Sequence, residues 1–86
     1  MSKRLTGAAL QAKVTAELRK MLAEDYGLPM GDYTADVRAD AARYPGEIPN
    51  LYAVFTHKRN HARIMIDNIF TRDNGELDQM SAPELR

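Results

Sequence analysis

The chain has 86 residues, no cysteine, and 12 basic against 12 acidic side chains, for a formal charge of zero. This length makes one domain with a single modest core, too small for a deep substrate cavity plus its supporting shell. The missing cysteines exclude disulfides, thiolate zinc sites and cysteine nucleophiles, and neutrality excludes the global field of a highly basic nucleic-acid binder.

The distribution of charge says more than its sum. Residues 1–20 carry five cations and one anion, 21–50 two cations and six anions, 51–66 three cations and no anion, and 67–86 two cations and five anions. If the first and third blocks meet in space, the molecule has a basic and an acidic face, suited to a polar partner; the plainer reading is solvated surface. The N-terminal "MSKRLTGAAL" lacks the apolar centre of a signal peptide, and the apolar runs fall far short of the roughly 20 residues that span a bilayer. A cytoplasmic location without membrane contact is the expectation.

The first element is a helix expected from Gly7 to Tyr26. Leu10, Val14, Leu18, Met21 and Leu22 recur at spacings of four and three on one face, with alanines raising propensity. Thr6 is the candidate cap, and Gly27 followed by Pro29 supplies the stop. Lys13, Glu17, Lys20 and Glu24 occupy the polar face and support solubility.

Residues 28–50 admit two readings. Alanine richness, a Thr34 cap, the spacing of Val37, Ala41 and Tyr44 and a Tyr44-Pro45-Gly46 stop favour a short second helix. Against it, Tyr33, Ala35, Val37 and Ala39 alternate with Thr34, Asp36, Arg38 and Asp40 as in a half-buried strand. The helix is the preferred reading, because a strand leaves a long following loop. It would set Asp32, Asp36 and Asp40 in one acidic stripe, read as a solvated face because no calcium-binding loop accompanies it.

From Leu51 the composition turns β-like. "LYAVFTH" and "ARIMIDNIF" flank "KRN" as an antiparallel hairpin, with Leu51, Ala53 and Phe55 on one face and Tyr52 and Val54 on the other. One face is expected against the first helix, the second under residues 33–44 or another subunit. Asn74-Gly75 offers a further turn and a third strand through Leu77. "SAPELR" reads as a flexible tail, giving residues 1–80 as a small α+β domain and 81–86 as its extension.

The hairpin tip holds the candidate site: His57, Lys58, Arg59, Asn60, His61 and Arg63. With a three-residue loop at 58–60, His57 and His61 would face each other across the strands. Two imidazoles fall short of the three or four ligands that zinc takes, and the serines, Ser2 and Ser81, lie near the termini, away from any histidine base. Neither a metal nor a cofactor is expected, and an enzyme, such as a ribonuclease using both histidines, ranks third. The leading expectation is a non-enzymatic regulator or inhibitor of bacterial, plasmid or phage type. It would occupy a surface of a macromolecular partner, protein rather than nucleic acid, and form a homodimer through its sheet. The alternative is a nucleic-acid-binding module in which helix, turn and second helix precede a basic β-hairpin wing. Polar hairpin tips also serve simply as guards against edge pairing.

Overall fold

The computed structural model describes residues 5, 7–41, 43–45, 47 and 50–85. Along the chain come helix α1 (Gly7–Tyr26), a 3-10 turn (Met30–Asp32), and strands β1 (Tyr33–Ala39), β2 (Leu51–His57), β3 (Arg63–Thr71), β4 (Leu77–Gln79) and β5 (Glu84–Leu85). The strands form one antiparallel sheet in the order β1-β2-β3-β4, with β5 also paired to β3. One helix on an antiparallel sheet is the expected α+β arrangement.

Helix α1 spans the residues its apolar period predicts. Leu10, Val14, Leu18 and Leu22 are buried and Met21 is half-buried, so one stripe faces the sheet. Gly27 ends the helix at φ 65°, a left-handed conformation costly for a side chain with a Cβ, and the Leu28 N–H returns to the Leu22 carbonyl at 3.1 Å. The proposed Thr6 cap lies outside the described residues.

The preferred second helix, at 35–43, is corrected by the structure among the described residues: residues 33–39 are an edge strand. Its alternation is that of a strand, with Tyr33, Ala35 and Val37 turned inward and Thr34, Asp36 and Arg38 exposed. Every position from Tyr33 to Ala39 pairs with β2, from His57 back to Leu51. Sheet hydrogen bonding with a distant segment outweighs the local preference of alanine for helix. Asp32 and Asp40 fall beyond the two ends of the strand and Asp36 is bonded by Arg38, so the helical acidic stripe does not form, and residues 33–39 extend the sheet instead of covering its second face.

The core gathers the α1 stripe with Met30, Val37, Leu51, Ala53, Phe55, Ile64, Ile66 and Ile69. Inward alternation along β3 would place residue 68 in this core and Ile69 outside. A bulge prevents that: Ala53 pairs with Ile66 but Leu51 with Ile69, and Asn68 takes φ 54° as the extra residue. Asparagine tolerates that conformation better than most side chains. The bulge returns Ile69 to the core and turns Phe70 outward.

Beyond β3, Asn74-Gly75 makes the expected turn into β4. The Asn74 Oδ1 accepts from the Glu76 N–H at 3.0 Å, and Gly75 sits at φ 88°. A Cβ on Gly75 would lie 2.7 Å from Lys13 Cγ and 2.9 Å from Leu5 Cδ1, so the turn is seated closely against the start of α1. The Leu5 N–H donates to the Asp73 carbonyl at 2.9 Å, fixing the two together.

The segment expected as a tail departs from expectation. Glu84 and Leu85 pair with Met65 and Ile64, while the Ser81 N–H donates to the Asp67 carbonyl and Asn68 Nδ2 to Ser81 Oγ, each at 3.0 Å. Residues 77–85 thus track β3 along its length, and the bonds come from partners too remote in sequence to announce themselves.

Candidate interaction surface

At the hairpin tip, side chains that read as a functional cluster divide into two sets. His57 does not face His61. The His57 N–H donates to the Ala62 carbonyl at 2.8 Å, and His61 lies within the loop at φ 61°, its N–H bonded to the His57 carbonyl at 3.1 Å. The loop is therefore longer than the three residues expected.

The cause lies in the side chains. His57 Nδ1 accepts from the N–H groups of Arg59 at 3.1 Å and Asn60 at 3.4 Å, and its ring meets Tyr33 edge-on with centroids 5.0 Å apart. Asn60 Oδ1 accepts from the Ala62 N–H at 2.9 Å, a local side-chain-to-backbone turn. Lys58 Nζ donates to the Gly31 carbonyl at 3.1 Å, and the Lys58 N–H to the Asp32 carbonyl at 2.9 Å, tying the tip to the 3-10 turn. His57, Lys58 and Asn60 therefore build the tip. Arg59, His61 and Arg63 are exposed on it and free to meet a partner.

Arg63 also opens onto the sheet's outer face, opposite Thr56. There Tyr52, Val54 and Met65 form a half-buried apolar stripe on the side away from α1, with Val54 directly across from Met65. Around the stripe stand Asp36 opposite Val54, Arg38 opposite Tyr52 and Glu84 opposite Met65. The Arg38 Nε donates to both carboxylate oxygens of Asp36, at 3.2 and 3.0 Å, and this bond together with the negative charge raises the Arg38 pKa. The sheet face and the basic tip are continuous.

Chemistry elsewhere on the surface is sparse. A shallow depression of about 220 Å³ lies between α1 and Leu77, lined by Glu17, Lys20, Met21, Glu24 and Asp25. Among the described residues no group of three or more His, Asp or Glu is placed to hold a metal ion, and no helix is long and apolar enough to cross a membrane.

Sequence reasoning passed over Arg19. Its Nη1 donates to the Met30 carbonyl at 2.7 Å, its Nη2 to the Tyr33 carbonyl at 3.1 Å, and its guanidinium carbon lies 5.7 Å from the Phe55 ring centre. The signal available was position alone, beside Leu18 at the margin of the apolar stripe. Arg19 joins α1 to the 3-10 turn, β1 and β2, and its role is architectural. In comparisons with known proteins, the chain matches no family model, no curated protein and no solved structure.

Proposed function

We propose that the protein is a small non-enzymatic binding protein that regulates or inhibits a macromolecular partner, protein rather than nucleic acid, by occupying its surface. The observation that carries this reading is the outer sheet face. Tyr52, Val54 and Met65 are apolar, lie together on the side that α1 leaves uncovered, and adjoin Arg63 and the exposed Arg59 and His61. An apolar centre with a charged rim is the anatomy of a protein-binding patch. The tip cations would accelerate encounter with an acidic surface, and the stripe would hold the complex.

The nucleic-acid reading loses ground because its second helix is strand β1, leaving no helix-turn-helix before the hairpin. The formal charge of zero also gives a long polyanion no net attraction.

The experiment combines partner identification with two variants. Arg59→Ala with Arg63→Ala should slow association with the partner while leaving the fold intact. Lys58 is spared because its bond to Gly31 makes it part of the tip's structure. Tyr52→Ala with Met65→Ala should act mainly on dissociation. Micromolar binding of wild-type protein to RNA or DNA that falls steeply with salt and disappears in the arginine variant would replace this reading with a nucleic-acid wing.

A further inference from the structure

The two edges of the sheet are treated differently. The outer edge of β3 is followed by the chain's own residues 77–85, through β4, the Ser81 bond and β5. Among the described residues, the outer edge of β1 has no such cover. The Lys58 N–H bonds the Asp32 carbonyl and the Asp40 N–H bonds the Asn50 carbonyl. In the antiparallel register of β1 with β2, these bonds assign the even-numbered residues to the β2 side. The N–H and C=O groups of Ala35, Val37 and Ala39 consequently point outward. At Tyr33 the edge is closed, since its N–H bonds the Met30 carbonyl and its own carbonyl accepts from Arg19. The open stretch is residues 35–39.

We infer that this edge binds a second copy of the chain, β1 against β1 antiparallel, with Val37 on the two-fold axis. The register follows from charge. Centred on Val37, pairing sets Asp36 of each copy opposite Arg38 of the other, at the close non-hydrogen-bonded positions, and Ala35 opposite Ala39. Moving the axis one residue either way sets Asp36 against Asp36 or Arg38 against Arg38, and a like pair at the centre is repulsive. An edge guarded against pairing would carry like charges or an interrupting proline. Here opposite charges stand symmetrically about Val37, on a strand with no proline between Tyr33 and Ala39, so the edge is complementary to itself. The two-fold places both copies of α1 on the same side of a continuous sheet and leaves both basic tips unpaired. The inference concerns the edge of β1, whose Asp36 and Arg38 also border the apolar stripe, and it is tested on self-association, which the partner reading does not require.

The test uses charge reversal at two exposed positions, read by sedimentation velocity from about 1 to 200 µM with circular dichroism as the folding control. Wild-type protein should approach twice the monomer mass across this range. Asp36→Arg alone and Arg38→Asp alone should each weaken self-association by about tenfold or more, because each turns both cross-strand attractions into repulsions. An equimolar mixture of the two single variants should associate as a heterodimer, since every facing pair is then of opposite sign. The double variant carrying both reversals should recover the wild-type behaviour, and Arg59→Ala with Arg63→Ala should leave it unchanged. A wild-type chain that stays monomeric throughout, single variants that associate as well as wild type, or a mixture of folded variants that fails to pair would each overturn the inference.

Discussion

At the scale of single residues, Arg19 carries more of the architecture than any other charged side chain described above. A charge-assisted hydrogen bond contributes about 1.5–3 kcal/mol and a cation–π contact at a part-exposed site about 0.5–1 kcal/mol. With incomplete additivity, Arg19→Ala is expected to cost about 2–4 kcal/mol in denaturant unfolding. Arg19→Lys should recover only part of this, because one ammonium does not reproduce the planar fork that reaches both carbonyls. Glu47 gives a pH-dependent counterpart. The Arg43 N–H and guanidinium donate to its carboxylate and lower its pKa. A carboxyl whose folded pKa is depressed contributes stability above its unfolded pKa and loses that contribution as pH falls through the folded one. The Arg43–Glu47 contact should therefore loosen below the ordinary carboxylate range. Chemical shifts of Arg43 and Glu47 followed from pH 6 to 2 should show this, and Glu47→Gln should abolish the dependence.

Among the elements, α1 was the most legible in sequence because its information is local: a period, a glycine stop and polar residues on the opposite face. Leu18 is fully buried, so Leu18→Ala should destabilise by about 2–5 kcal/mol. Glu17, paired with Lys13 at 3.2 Å on the solvent side, should cost about 0.5 kcal/mol or less when changed to alanine. Equal losses in thermal or urea unfolding would show that the buried face is misassigned. The hairpin was legible for the same local reasons, in β-branched and aromatic runs around a polar tip. Strand β1 was harder, since Ala35, Ala39 and Ala41 favour helix as strongly as alternation favours strand, and the deciding pairing with Leu51–His57 is not local. The candidate site was half legible. The charges at the tip could be read, but not that His57 and Asn60 would turn inward to hold the loop's backbone. The bulge left a trace: in "RIMIDNIF" the apolar alternation slips by one at Asn68, where the structure inserts its extra residue.

At the scale of the whole molecule, the described residues form a sheet with one edge followed by its own chain and one edge, at β1, left open, and under the inferred β1 pairing that asymmetry would set a valence. A subunit with a single adhesive edge has valence one: it can join one other and then has nothing further to offer, so assembly ends at a pair. Give it a second adhesive edge and the same bonds become those of a growing polymer. On the inferred β1 pairing, the short residues 84–85, which contribute little to the core, would serve as a chain terminator. Removing residues 81–86 would uncover β3 at Ile64 and Met65. Light scattering on that shortened chain should show species larger than a dimer, increasing with concentration and time, while the full chain keeps a fixed size. A shortened chain no larger than the parent would mean that this end of β3 is too brief to nucleate growth.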